Sequence, residues 1–279
     1  MCRDVSYSKS KEIKYAKRLD MPETEIKRLE KELANFEGRI QISSEAIDAI
    51  QEADKDLAYL NLYTHPELPT KTNKKRENLQ YYQVGLIPRW EKDAETAKIR
   101  RRGNINARSE TAHNKPSFRE ALEDNRCLIV VDGFYEYYHH HNGRKIPFYV
   151  SRVDDEPLVL AGIWEETNVG GELIKSSVIL TTSANTMMAK IHNSPKNGGR
   201  MPVIIESDQQ DNWLDGTNLK NIYLPAKNDI LKAYTVRPIT KKESEIKSEP
   251  RQEFTYKELR NGVDSIRPDS DEPVQGSLF

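Results

Sequence analysis

The dipeptide Asn142-Gly143 stands between two runs of strand-forming residues, 128–138 and 145–151. Asn and Gly both tolerate positive φ, which a two-residue type I′ turn demands at both central positions, so the sequence predicts a β-hairpin here. A hairpin fixes the pairing of its neighbours, and further strands are expected at 157–164, 173–182, 201–205 and 233–238. Ser117, with Glu120 three residues on, forms a capping-box pattern for a short helix reaching about Asn125. A second helix is expected over 184–191. Strands joined mostly by tight turns, with scattered helices, predict an α+β fold: mostly antiparallel curled sheets forming a barrel-like core with flanking helices.

The two ends of the chain read differently. Residues 10–60 are charged and helix-prone. Pro22 suits a helix first turn, and Ile26, Leu29, Leu33 and Phe36 then form one apolar stripe. Ser43 or Ser44 offers an N-cap for another helix carrying Ala46, Ile50, Ala53 and Leu57. From about Lys241 the chain is rich in Lys, Glu, Ser and Asp and predicts a disordered tail. The expected organisation is therefore a domain over 1–240, with 10–60 as a helical insertion, and a tail over 241–279.

Composition narrows the setting. Forty-three Lys+Arg oppose 44 Asp+Glu, a net charge of −1, so any polyanion site must be local. Two cysteines provide no disulfide framework and suit a reducing cytoplasm. The sequence shows neither a bilayer-length apolar run nor a signal-peptide pattern, and predicts a soluble intracellular monomer without a membrane partner. Cys127, beside Leu128-Ile129-Val130-Val131, reads as a buried core thiol. The run His139-His140-His141 has no Cys/His/Asp companions and reads as part of a hairpin tip; neither metal nor cofactor is expected.

The chemistry begins at Cys2, directly after Met1. Removal of Met1 leaves a 1,2-aminothiol, whose amine condenses with an aldehyde to an imine while its thiol closes a thiazolidine ring. Ordinary pKa values of ~7.7–8 for the amine and ~8.5 for the thiol leave both partly available near neutral pH. Four further segments accompany it: Gly85-Leu86-Ile87-Pro88-Arg89-Trp90, Asn106-Ala107-Arg108-Ser109-Glu110-Thr111, Gly133-Phe134-Tyr135-Glu136, and His192 followed by Arg200-Met201-Pro202. Together they resemble the SOS-response-associated peptidase family, whose members shield abasic sites in single-stranded DNA.

That resemblance implies a sensor of abasic sites in single-stranded DNA, acting through a reversible covalent crosslink at Cys2. It implies crosslinking and crosslink-reversing activity of a lyase- or peptidase-like kind, extending to removal of its own Met1. Glu136 is the expected proton-transfer carboxylate, and His192 is expected to protonate the sugar ring oxygen and later return a proton, with Asn106 orienting the amine and the sugar hydroxyl. A local strip containing Arg3, Arg108 and Arg200, preceded by Arg100, Arg101 and Arg102, is expected to hold phosphates. Trp90, Tyr135 and Tyr137 are the expected stacking rings, whereas Lys74, Lys75 and Arg76 read as a solvated run. The chain departs from the family pattern in Arg3-Asp4 after the cysteine, in Val84 and Tyr137 where tryptophans are common, and in a longer connection over 194–199. Two other classes fit Cys2 or the basic strip less fully: an N-terminal-nucleophile amidohydrolase and a non-catalytic single-strand-binding module. Finally, Gln275-Gly276-Ser277-Leu278-Phe279 resembles the short motif by which bacterial repair and replication proteins dock on the sliding clamp.

Overall fold

The computed structural model describes residues 3–8, 11–40, 59–238 and 251–259. Among the described residues, twelve strands form two sheets: β1 (Asp4–Ser6), β2 (Leu60–Asn61), β3 (Glu67–Thr72), β4 (Gln80–Val84), β5 (Asn106–Arg108), β6 (Arg126–Val131), β7 (Gly133–His139), β8 (Lys145–Arg152), β9 (Leu158–Val169), β10 (Glu172–Ser183), β11 (Arg200–Pro202) and β12 (Leu231–Thr235). Strands β9, β10, β4, β3 and β6 close on themselves as a barrel, mixed because β10 runs parallel to β4. The other sheet, in order β12-β8-β7-β1-β2, is antiparallel throughout. Helices α1 (Glu12–Arg18), α2 (Glu23–Ile40), α3 (Ala94–Gly103), α4 (Arg119–Asp124), α5 (Thr186–Ile191), α6 (Gln210–Asp215) and α7 (Leu219–Ile222) flank these layers. The α+β architecture with a barrel core is the one the sequence predicts.

Strand alternation builds two apolar cores. Cys127, Ile129 and Val131 of β6 meet Phe134, Phe148 and Val5 between barrel and sheet. Leu128 and Val130 point the other way, toward Tyr15, Leu19 and Trp213 beneath the helices. Burial on both faces explains why this strand is a continuous apolar run instead of an alternating one.

The expected strand over 128–138 is in fact two strands in different sheets. The chain crosses from β6 to β7 at Asp132, whose carboxylate accepts from Ser8 Oγ at 2.7 Å and Tyr15 Oη at 2.9 Å and pairs with Arg251 at 2.8 Å. Gly133 follows because a Cβ there would lie 2.5 Å from the Val150 carbonyl and 2.6 Å from the Tyr149 ring.

The β7–β8 hairpin exists, but its loop is longer than a type I′ turn, with His139 paired to Lys145. Gly143 N–H donates to His140 C=O and only Gly143 takes positive φ, +85°, so the turn carries a left-handed glycine after it instead of two such residues. The expected Ser117 capping box is also absent: Phe118 precedes α4 without a side-chain cap, because the Lys115 carbonyl already takes the N–H groups of Phe118 and Arg119. Strands β9 and β10 extend beyond their expected ends, and the run 201–205 keeps only β11 plus an isolated bridge from Ile204 to Leu160.

Helix α2 follows Pro22 as expected, burying Leu29, with Ile26 against the same core. The helix expected from Ser43 or Ser44 lies outside the described residues, as do Gln275, Leu278 and Phe279. Within the expected disordered tail, residues 251–259 are packed: Tyr256 and Leu259 are buried, and Glu253 bridges Val236. A few widely spaced anchors suffice there, too sparse for a periodic signal. Among the described residues, no helix is long and apolar enough to cross a membrane, and no group of His, Cys, Asp or Glu side chains is placed to hold a metal.

Gly133→Ala is expected to cost about 1–3 kcal/mol, the usual penalty of overpacking, whereas Gly103→Ala meets no atom within 4 Å and is expected to leave the thermal midpoint nearly unchanged. Equal midpoint shifts would contradict the close β7–β8 approach.

Candidate active site

Strand β1 pairs with β7 in the register Asp4 to Tyr135, Val5 to Phe134 and Ser6 to Gly133. Arg3 immediately precedes this strand, and its charge acts on Glu136 of β7. The Arg3 carbonyl is held by Leu62 N–H at 2.8 Å, and its guanidinium lies 5.5 Å from the centre of the exposed Tyr63 ring. Glu136 is buried, and its Oε1 accepts from the Tyr137 N–H at 3.0 Å. Burial pushes its carboxyl above the usual range, with the Tyr137 N–H and the Arg3 charge acting in the opposite sense.

His192 reaches this carboxylate from α5. Asn185 caps that helix by accepting from Met188 N–H at 2.8 Å, and Met188 and Ile191 anchor it in the core. The chain leaves the helix at His192, placing Nδ1 3.6 Å from Glu136 Oε2 and 3.0 Å from the Arg200 carbonyl. A carbonyl only accepts, so the hydrogen sits on Nδ1 and Nε2 is the basic nitrogen. Burial drives the imidazole down to about 4, against the pull of the Arg200 carbonyl. His192 is therefore neutral near pH 7, and its approach to Glu136 is not an ion pair.

The longer connection over 194–199 folds back on itself. Gly199 N–H donates to His192 C=O and Gly198 N–H to Ser194 C=O, both at 2.7 Å, and Gly199 adopts φ +70°. Gly198 is required because a Cβ would meet the Ser194 and His192 carbonyls at 2.5 and 2.7 Å. Arg200 thus enters β11 opposite Ser183. Its guanidinium makes a two-pronged bond to Glu110, at 2.7 and 2.9 Å, and donates to the Thr181 carbonyl at 2.7 Å. The side chain expected on a phosphate therefore ties β11 to the residues after β5. Asn106 opens β5, half-buried and paired with Ile179 of β10, the strand that also carries β11.

The remaining expected residues are spread around this pair. Arg108, at the end of β5, is exposed, as is Trp90, whose ring lies 4.7 Å from the Arg100 guanidinium. Arg101 instead packs over Gly85, where a Cβ would meet its side chain at 2.6 Å. Tyr135 is buried in a tyrosine cluster with Tyr149, and half-buried Tyr137 hydrogen-bonds Tyr59 and Asp4. Lys74 bonds Asn125 and Arg76 pairs with Asp211 and Asp215, consistent with a surface run. Two members escaped the sequence reading: Tyr59 and Asp4, which no motif marks and only the pairing of β1 brings together.

A sequence model of the family SOS response associated peptidase (SRAP) matches residues 15–242, which include Asn106, Glu136 and His192. The chain belongs to the SRAP family. It is 31% identical over 214 residues to "Abasic site processing protein YoqW" of Bacillus subtilis (strain 168), covering 71% of this chain and 91% of that one. With "Abasic site processing protein YoaM" of the same organism it shares 35% identity over 158 residues, 54% of this chain and 65% of that one. A crystal structure of a Bacteroides thetaiotaomicron protein superposes with a TM-score of 0.65 at 26% identity, covering 85% of this chain and 92% of the other. SRAP membership thus rests on the domain that carries Glu136 and His192.

The neutral state of His192 has a sign that stability measurements can read. Its folded pKa of about 4 lies below the ordinary 6.5, so the unfolded chain binds the extra proton between these values and stability falls as pH drops from about 6.5 toward 4. Glu136, shifted upward, contributes oppositely, losing stability as pH rises through its folded value. Denaturant melts across pH 4–7 are expected to show a smaller acid-side loss for His192→Gln than for wild type, and nitrogen NMR is expected to show the Nδ1–H tautomer at pH 6.5. An imidazole titrating near 6.5 in the folded protein would contradict the buried-neutral assignment.

Proposed function

We propose that this chain processes abasic sites in single-stranded DNA by forming a reversible thiazolidine crosslink through Cys2 after Met1 is removed. The observation that supports the reading is the β1–β7 register, which sets Asp4 opposite Tyr135, next in chain to Glu136, whose carboxylate lies 3.6 Å from His192 Nδ1. Cys2 is one residue before Arg3, and consecutive Cα atoms are only ~3.8 Å apart. The names of the relatives, abasic site processing proteins, point to the same substrate.

An abasic deoxyribose is mostly a closed hemiacetal, so the ring must open before the amine can attack. Glu136, whose carboxyl burial favours the protonated form, supplies the proton to the ring oxygen in place of His192, the donor expected from sequence, because burial keeps that imidazole unprotonated near pH 7. Neutral His192 accepts a proton from the attacking amine through Nε2 and returns it when the carbinolamine expels water. The resulting imine then receives the Cys2 sulfur. Asn106 orients the amine and the sugar hydroxyl. Arg3 and Arg108 meet flanking phosphates, while Trp90 and Tyr137 stack against unpaired bases. Arg200 acts through Glu110, holding β11 and hence the carbonyl that fixes the His192 tautomer.

Cys2→Ala is expected to abolish the heat-stable adduct with an abasic oligonucleotide, while an imine remains trappable by borohydride and non-covalent affinity is retained. A stable adduct at wild-type yield would sink the thiazolidine chemistry, and turnover of amide substrates instead would favour the amidohydrolase class. Glu136→Gln is expected to slow both formation and reversal by ~10²–10⁴-fold, the usual contribution of a general acid. Rates within a few-fold of wild type in single-turnover gels would remove Glu136 from that role. Arg108→Ala is expected to lower the salt slope of binding by ~0.7, one single-strand phosphate; an unchanged slope would remove that contact.

A further inference from the structure

The two ends of the described chain meet at one buried carboxylate. Asp132, at the crossing from β6 to β7, donates its N–H to the Ser6 carbonyl at 2.8 Å. Its side chain serves the N-terminal side through Ser8 Oγ, Tyr15 Oη and Lys11 Nζ, the last at 3.3 Å. From the opposite end of the sequence, Arg251 closes on the same carboxylate at 2.8 Å. Its other terminal nitrogen donates to Ser8 Oγ at 3.2 Å and to the Tyr7 carbonyl at 3.4 Å. One guanidinium therefore grips both Asp132 and the residues that follow β1.

Arg251 reaches that point across the face of the antiparallel sheet. Tyr234, Tyr149 and Tyr135 stand in register on β12, β8 and β7, with successive ring centres 5.7 and 5.0 Å apart. The guanidinium hydrogen-bonds Tyr135, and its charge opposes the effect of burial on all three hydroxyls. Asp4 of β1 is the next residue in the same row, opposite Tyr135.

The segment that delivers Arg251 is seated along the other edge of this sheet. Glu253 bridges Val236, just after β12. Phe254 N–H donates to the Thr235 carbonyl at 2.8 Å, and Phe254 C=O accepts from Thr235 Oγ1 at 2.6 Å. Tyr256 Oη donates to the Val236 carbonyl at 2.8 Å, and the Tyr256 and Leu259 side chains enter the core between barrel and sheet. Arg144 of the β7–β8 loop covers the far end, 2.7 Å from Glu258 and 4.9 Å from the centre of the Tyr256 ring. The family match runs from residue 15 to 242, so β1 and this segment both lie outside it. They are tied to each other through Asp132.

We propose that residues 251–259 are a latch for β1. Seated, they hold the strand in its register on β7, the strand that carries Glu136; released, they let it fray. The C-terminal part of the chain thereby controls the order of the strand that leads into the candidate site. Coupling of this kind is reciprocal, so whatever orders β1 also tightens the latch. A strand of three residues near a chain end has little to keep it in place on its own. Withdrawing Arg251 takes a cation from a buried carboxylate and a donor from the chain beside β1 in one event. The inference goes beyond the thiazolidine chemistry and does not require it.

Hydrogen exchange of the full-length chain, read by mass spectrometry, tests the latch in wild type and Arg251→Met, which keeps an apolar stem and removes the charge. Amides of residues 4–8 are expected to exchange ~10–100-fold faster in Arg251→Met, the loss that one charge-assisted hydrogen bond produces. Amides of the β9–β10 ladder, in the other sheet, are expected to stay within about twofold, because opening is local. Unchanged exchange over residues 4–8 would overturn the latch, and so would equal acceleration of β9 and β10, the mark of general destabilisation. Should Arg251→Met fail to fold, Phe254→Ala removes the ring that packs edge-on against Tyr256 and leaves Asp132 untouched. The same selective acceleration over residues 4–8 is expected there, and its absence would overturn the proposal equally.

Discussion

The antiparallel pairing of β1 with β7 is the contact on which the arrangement depends. It spans three residue pairs, and so short a strand near the start of a chain would ordinarily fray. Buried polar contacts hold it instead. Ser6 Oγ meets Tyr149 Oη at 2.8 Å, Ser8 Oγ bonds Asp132, and Arg251, arriving from residues 251–259, closes on the same Asp132 carboxylate. Breaking one partner of such a buried network strands a charge, which is why these contacts resist fraying more than their number suggests. Under the chemistry proposed here, a strand anchored this firmly one residue after Arg3 limits how far a reacting N-terminal residue can wander, the condition for a high effective concentration.

One cause acts in opposite directions on the two central groups. Burial raises the Glu136 carboxyl and lowers the His192 imidazole, favouring the neutral form of each. Under the proposed chemistry both shifts act in the useful sense, moving the carboxyl toward its protonated form and keeping the imidazole unprotonated. The tautomer is set from a distance: Glu110 holds Arg200, and the Arg200 carbonyl takes the Nδ1 hydrogen. Arg200 earns its place in the motif as much by position as by charge.

The sequence made the larger features legible where local physics agreed with the fold. The apolar run 128–131, the hairpin around Gly143, and the α5 helix ending at His192 all appear, because strand alternation, turn chemistry and an Asn185 cap act over a few residues. What sequence could not convey was set by contacts far apart in the chain. The break at Asp132 follows from partners at Ser8, Tyr15 and Arg251. The capping box at Ser117 lost to backbone bonds already made at Lys115. Arg200 read as a phosphate ligand, yet Glu110, inside another motif, occupies its guanidinium. Asp4 looked like a simple departure from the family pattern until the register set it among Tyr59, Tyr135 and Tyr137.

The central claim is that covalent capture happens at the amine and thiol of Cys2. Tandem mass spectrometry of the crosslinked peptide, after digestion of protein and DNA and treatment with a thiol-alkylating reagent, tests it most directly. The account predicts a deoxyribose remnant on a peptide beginning at Cys2, with Met1 gone and the sulfur refractory to alkylation because it lies in the ring. A remnant on an internal lysine, or on a peptide that retains Met1 with an alkylated Cys2, would contradict it.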